Sequence, residues 1–295
     1  MNRIPALMLA ASTVIGLTAC GGGSSSSSAS DKASLSMKLT DAPVSNATSL
    51  ELFVKSVELK HGSSTLSYTV NRSIDLLELQ GSNSAALFTD EEVPAGDYEW
   101  MRLYIDEEQS SLTTSDGGVH SLTIPSNSQT GLKVNTPFSL PAGSTPTFII
   151  DFDVARSLTL ANNGYKLRPT LRLVDADETG HITGTVSSSL LETCEVPVMY
   201  AFAGASTAFA ELDSSAAPTT TALVKLDETS GDYTYTLGFL LNGDYQLYLV
   251  CDADDPEADD GIQPVATVTA TVSGEADDGV ASVDIDEDAV IFYPQ

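Results

Sequence analysis

Leu50-Glu51-Leu52-Phe53-Val54-Lys55-Ser56-Val57-Glu58-Leu59 is the stretch on which the fold class turns. Leu50, Phe53, Val54 and Val57 fall at helical spacing, whereas Leu50, Leu52 and Val54 followed by Val57 and Leu59 fit a strand whose phase slips once. Val, Phe and Ser dominate and no capping residue precedes the run, which favours the bulged strand. On either side the period stays at two: Leu35, Met37 and Leu39 alternate with polar residues, as do Val196, Val198, Tyr200 and Phe202, and Tyr233, Tyr235, Leu237 and Phe239. These read as half-buried strands. Turn-forming clusters separate them, among them Pro94-Ala95-Gly96-Asp97, Asp116-Gly117-Gly118, Asn162-Asn163-Gly164 and Asn242-Gly243-Asp244. Val154 to Ala161 reads as a short helical turn, and no long helix is expected past residue 20. The fold class is therefore all-β, with strand spacing that suits sandwiches or barrels.

The 295 residues are 42% hydrophobic, enough for one large or two ordinary cores, and two domains are expected. Against 13 Lys plus Arg stand 41 Asp plus Glu, a formal charge of -28, so phosphate backbones and anionic lipid surfaces are repelled and no nucleic-acid partner is expected. The excess is uneven. Residues 31–179 hold 11 basic and 20 acidic side chains, whereas residues 180–295 hold Lys225 against 21 acids. The boundary is placed at Asp175 to Gly180, between a strand ending at Val174 and one beginning at Ile182.

At the N-terminus, Arg3 precedes an apolar run from Ile4 to Ala19 that is interrupted by Pro5. It is shorter than the roughly 20 residues a spanning helix needs and reads as a signal peptide. Its end, Leu17-Thr18-Ala19-Cys20, resembles a bacterial lipobox, which implies cleavage before Cys20 and a diacylglyceryl group on its sulfur. Acyl chains hold a protein on a membrane without a spanning segment. Gly21 to Ser30 is a flexible tether with a reach of roughly 20 Å. Gly21 after the lipidated Cys resembles what enterobacterial outer-membrane lipoproteins show, which implies a lipid-anchored place in the cell envelope, at the outer membrane.

Four segments carry a wider resemblance: Leu39-Thr40-Asp41-Ala42-Pro43, Val93-Pro94-Ala95-Gly96-Asp97-Tyr98, Phe148-Ile149-Ile150-Asp151-Phe152-Asp153-Val154 and Leu167-Arg168-Pro169-Thr170-Leu171-Arg172-Leu173. Together they resemble the bacterial lipoprotein family known as domain of unknown function 4382 (DUF4382), over about Ser34 to Val174. The resemblance implies a secreted β-sandwich on a lipid anchor and brings no established activity. The second half is similar to transthyretin-like or carboxypeptidase-regulatory-like sandwiches through Gly184-Thr185-Val186, Gly231-Asp232-Tyr233 and Gly243-Asp244-Tyr245. That implies an accessory binding or spacer module. The expected organisation is residues 1–19 as lipoprotein signal peptide, 20–33 as lipidated Cys and tether, 34–176 as a DUF4382-like sandwich and 180–295 as an acidic transthyretin-like sandwich.

Candidate chemistry is sparse. His61, His120 and His181 sit beside turns and read as solvated imidazoles. No Gly-x-Ser-x-Gly elbow or Cys-His pairing occurs, and 41 acids guarantee carboxylate pairs by chance, so no catalytic residue is assigned and a non-enzyme is expected. Asp151 and Asp153 share one face of a strand, there either to bind a cation or loop amides or simply to face solvent. Asp41 reads as a turn former next to Pro43. Tyr98, Trp100 and Tyr104, on alternate positions, read either as core or as a sugar-binding stripe. With Cys20 lipidated, Cys194 and Cys251 form an even pair in an oxidising compartment, for which a disulfide is expected.

Asp252-Ala253-Asp254-Asp255-Pro256-Glu257-Ala258-Asp259-Asp260-Gly261 places six carboxylates in ten residues. Screening by solvent and salt is one way to offset their repulsion, and a Ca²⁺ ion held by Asp252, Asp254, Glu257 and Asp259 is the other. The spacing departs from an EF-hand. No other cofactor is expected. The function these features favour is a non-enzymatic envelope lipoprotein that displays sandwiches for ligand binding, adhesion or assembly, with envelope proteins or glycans as partners. The alternatives are a calcium-regulated or metal-dependent module or enzyme that uses the acidic loops, and a structural acidic spacer.

Overall fold

The computed structural model describes residues 31–42, 46–125, 131–161, 164–204, 209–252, 261, 263–274 and 279–289. These are strands joined by turns and short 3₁₀ segments, and among the described residues no helix is long and apolar enough to cross a membrane.

The first half contains β1 (Lys32–Ala42), β2 (Ala47–His61), β3 (Ser64–Asp75), β4 (Ala85–Pro94), β5 (Gly96–Thr114), β6 (Val119–Thr123), β7 (Leu132–Val134), β8 (Phe138–Leu140), β9 (Thr147–Asp153), β10 (Leu158–Ala161), β11 (Gly164–Leu167) and β12 (Thr170–Asp175). One sheet runs β12-β9-β1-β4; the other runs β10-β11-β6-β5-β2-β3, with β7 and β8 also paired to the long β5. Leu35, Met37 and Leu39 of β1 share one buried cluster with Leu50, Leu52, Val57, Leu59, Met101, Leu103, Ile150 and Phe152.

β2 settles the ambiguous stretch as a bulged strand. Leu50, Leu52 and Val54 are buried before the slip and Val57 and Leu59 after it, and the register to both β3 and β5 shifts between Val54 and Ser56. Lys55 is the extra residue, and its Nζ lies 3.1 Å from Asp106 Oδ2 at the surface. A bulge lets one strand change phase without turning its apolar side chains out to water.

The second half contains β13 (Thr179–Val186), β14 (Val198–Ala203), β15 (Thr220–Leu223), β16 (Lys225–Leu226), β17 (Tyr233–Leu241), β18 (Gly243–Val250), β19 (Pro264–Val272) and β20 (Gly279–Ser282). Its sheets run β16-β17-β13-β20 and β15-β14-β18-β19 around Ile182, Met199, Leu237, Leu247 and Leu249. The expectation that the strand through Val198, Tyr200 and Phe202 is half-buried is corrected: Val198 to Phe202 are all buried. Met199 and Ala201 enter the core, while Tyr200 and Phe202 pack outward with Tyr248 under Phe209 and Leu212. A crossing segment covers this face, and alternation along one strand cannot reveal that.

The two halves share a corner. In Gly96-Asp97-Tyr98 the Tyr98 hydroxyl donates to Pro94 O at 2.7 Å, and in Gly243-Asp244-Tyr245 the Tyr245 hydroxyl donates to Leu241 O at 2.8 Å. Each time the aspartate accepts a hydroxyl from a neighbouring strand, Ser139 on Asp97 and Thr271 on Asp244. The glycines take φ of 131° and 152°, which a side chain would oppose.

Between the halves, Asp175 caps a 3₁₀ turn at Ala176–Glu178, so the flanking strands reach Asp175 and start at Thr179. Ile149, Val174, Ala176 and Phe239 form a buried cluster there. The short helical turn expected over Val154 to Ala161 is confined to one turn, where the Leu158 N–H donates to Val154 O at 3.1 Å. From Leu158 the chain is strand, because Leu158 to Ala161 pair with Gly164 to Leu167.

Candidate functional site

The outer face of β2, β3, β5 and β7 gathers aromatic and cationic side chains. A second register shift, between the pairs Lys60↔Trp100 and His61↔Tyr98, makes Glu99 an extra residue on β5. Tyr98 therefore points into the core while Trp100, Arg102 and Tyr104 stand outside, opposite buried Met101, Leu103 and Ile105. The expected stripe of Tyr98, Trp100 and Tyr104 is corrected on this point: the slip puts its members on different faces. Tyr98 stacks on Phe138 at 5.0 Å, and burial pushes its hydroxyl up to about 12.

Pairing across the strands arranges this face in rows: Thr65, Lys60 and Trp100; Ser67, Glu58, Arg102 and Lys133; Thr69, Ser56 and Tyr104. The Arg102 guanidinium carbon lies 4.1 Å from the centre of the Trp100 ring, and Lys133 Nζ lies 5.2 Å from it. Such contacts hold a cation over the indole face at about 0.5–1 kcal/mol each. The Tyr104 hydroxyl donates to Glu58, the residue paired across from Arg102, at 3.1 Å.

Lys32, Lys55, Arg156 and Arg172 are ion-paired, whereas among the described residues Lys60, Arg102 and Lys133 have no carboxylate partner. Eight of the twelve described bases make no ion pair, and Lys60, Arg102 and Lys133 are three of these that neighbour one another across β2, β5 and β7. Arg102 Nε is buried and meets no acceptor, a cost of about 1–3 kcal/mol to the folded chain. The arrangement can capture an anionic group: cations held in place by an aromatic ring, with donors unused. Sequence reading found Trp100 and Tyr104 but missed Lys60, Arg102 and Lys133. The alternation Trp100-x-Arg102-x-Tyr104 against Met101, Leu103 and Ile105 is the signal that points to them.

Asp151 and Asp153 are not on a solvated face. Asp151 is buried, and Arg172 reaches its Oδ2 with Nη2 at 2.6 Å and Nε at 3.1 Å. Asp153 accepts the Arg156 N–H at 3.1 Å, and burial pushes its carboxyl up to about 6 against an ordinary 3.8. Because the native state then holds the proton more tightly than the unfolded chain, this group favours folding below pH 3.8 and loses that contribution as pH rises through about 6. Asp153→Asn is expected to stabilise the protein by about 2 kcal/mol at pH 7.5 and by far less at pH 4.5, read from urea melts at both pH values. Equal gains at the two pH values would contradict the burial of a charged Asp153.

The residues that a turn after Asp41 would use, 43–45, lie outside the described residues. Asp41 itself is buried in β1, where its Oδ1 accepts the Val154 N–H across the sheet at 3.3 Å. Among the histidines, His181 corrects the solvated reading: it is buried, its Nδ1 accepts the Phe239 N–H at 3.1 Å, and its ring meets Phe239 edge-on. His61 and His120 are half-buried against Tyr98 and Tyr165. Cys194 and Cys251 are joined in a disulfide with Cα atoms 4.4 Å apart. Of the acidic-loop ligands, Asp252 is exposed, while Asp254, Glu257 and Asp259 lie outside the described residues, as does Cys20. Among the described residues no group of three or more His, Cys, Asp or Glu is placed to hold a metal ion.

Residues 32–169 match the family model described as "Domain of unknown function (DUF4382)". No curated protein matches the chain. Among solved structures it is similar to the TIE protein of Bacillus anthracis, at 10% identity and a TM-score of 0.21 over 85% of this chain and 33% of that one. A leucine-rich repeat protein from Bacteroides thetaiotaomicron is similar at 11% identity and a TM-score of 0.21, over 87% of this chain and 26% of that one. The chain thus spans about a third and about a quarter of these two. A minor pilin from Streptococcus agalactiae is similar at 10% identity and a TM-score of 0.20, over 89% of this chain and 98% of that one.

Proposed function

The chain carries a DUF4382 domain over residues 32–169, and with that as the premise we propose that it is a non-enzymatic lipoprotein of the bacterial envelope that binds a partner on the outer face of β2, β3, β5 and β7. The observation that carries this reading is the grouping of Lys60, Arg102 and Lys133 around Trp100 without carboxylate partners among the described residues. A sheet face with cations held against an aromatic ring is suited to recognition, since paired strands hold the side chains in register. The lipobox at Leu17 to Cys20 and the Gly/Ser tract after it support an anchored module held off the membrane by a tether.

Two experiments test this. Cys20→Ser is expected to move the protein from the membrane fraction into the soluble fraction, and unchanged partitioning would remove the anchor. A glycan and envelope-polymer array probed with the full chain is expected to show retained ligands that Trp100→Ala with Arg102→Gln loses by about tenfold or more. Equal retention by that variant would place binding elsewhere.

A further inference from the structure

We infer that this face takes a glycan in which one carboxylate-bearing sugar sits among neutral sugars; the inference rests on the binding-surface reading above and names its ligand. Charge narrows the class first. The three rows hold three cations and one carboxylate, a local charge of +2, within a chain of -28. A dense polyanion would be attracted by the patch and repelled by nearly everything around it. A ligand with one or two charges feels mainly the patch, because the screening length at physiological ionic strength is about 8 Å.

Donor geometry narrows it further. The Arg102 guanidinium carbon lies 4.1 Å from the centre of the Trp100 ring, and its two terminal nitrogens match a carboxylate through two parallel N–H donors. Lys133, directly across from Arg102, and Lys60, across from Trp100, flank that position. Beyond them, two strand spacings or roughly 10 Å from β5, lies a line of hydroxyls from Thr65, Ser67 and Thr69. Hydroxyls donate and accept at once, as sugar hydroxyls do, so neutral residues of the same glycan can lie along β3 while its carboxylate sits on Arg102. An acidic peptide would meet the hydroxyl line with at most one N–H and one C=O per residue, whereas each sugar presents several hydroxyls that both donate and accept.

The test uses the full-length lipoprotein in neutral detergent and titration calorimetry with four probes: an oligosaccharide capped by glucuronic acid, its methyl ester, the glucose-capped neutral form, and a short peptide bearing one glutamate. The acid form is expected to bind about tenfold or more tightly than the other three, with affinity falling as salt rises. Arg102→Gln and Lys133→Gln are each expected to weaken it about fivefold or more without lowering the melting temperature, as is Thr65→Ala with Ser67→Ala. Equal binding of the ester would overturn the carboxylate. Equal binding of the peptide, with the same variants losing it, would overturn the glycan while leaving the binding surface intact. A concentration-dependent dimer abolished by Arg102→Gln would assign the face to the acidic half of a second copy. No binding of the acid form would overturn the inference while an array ligand lost by the Trp100 variant still upheld the surface, and binding indifferent to every variant would overturn both.

Discussion

Replacing Cys194 and Cys251 by serine is expected to lower the unfolding free energy of the C-terminal sandwich by about 4 kcal/mol, because the bond closes a long loop and so restricts the unfolded chain. The two residues are 57 positions apart. Cys194 lies in the turn between β13 and β14, where the chain crosses from one sheet to the other, and Cys251 follows the end of β18. The Val196 N–H donates to Cys251 O at 2.9 Å, so the bond fastens the entry of β14 to its neighbour in the sheet. Its loss frees most of that sandwich in the unfolded state and loosens the crossover in the native one. Urea melts of the double variant against wild type check the magnitude. Intact-mass analysis with alkylation before and after reduction checks the bond itself: two thiols labelled without reductant would refute it.

Gly184→Ala is expected to cost the same sandwich about 3 kcal/mol or more, which for a domain of this size corresponds to a fall in melting temperature on the order of 10 °C. Gly184 lies mid-strand in β13, opposite Tyr235 of β17. A methyl group there would drive into the Val283 carbonyl and meet the Tyr235 ring at 3.0 Å. The missing side chain allows two things at once. Val283 and Ile285 donate backbone N–H groups to Thr183 O and Thr185 O at 2.8 Å each, and the Tyr235 hydroxyl donates to Val283 O at 2.6 Å. Burial pushes that hydroxyl well above its ordinary range, keeping it a donor. An alanine must part the strands or displace the ring. Gly184 takes no positive φ, so the loss reports crowding rather than backbone strain, and an unchanged melting temperature in the alanine variant would contradict that crowding.

How far the fold was legible depends on where each signal is written. The bulge in β2 is local: Val54, Val57 and Leu59 cannot all face the core without one extra residue, so the sequence itself carries the slip at Lys55. The Gly-Asp-Tyr corners are local too, since a positive-φ glycine and a tyrosine reaching back four residues are set by neighbours in the chain. What failed is nonlocal. Asp151 looks like a solvent-facing alternate of Ile150 and Phe152 until Arg172 arrives from β12, and His181 looks exposed beside Gly180 until Phe239 folds over it. The site was half legible. Trp100 and Tyr104 were visible as aromatics, but their face was set by the extra residue Glu99, and Lys133 reaches Trp100 only through pairing of β7 with β5.

Trp100 is the only tryptophan in the chain, so its emission reports on the candidate face alone. Titrating the full-length protein with any ligand retained on the array, while following that emission and its quenching by acrylamide, tests most directly whether the sheet face is the binding surface. A saturable change in emission with reduced quenching, at the same midpoint as binding measured independently, is the expected result. Unchanged emission and quenching at saturating ligand would contradict it.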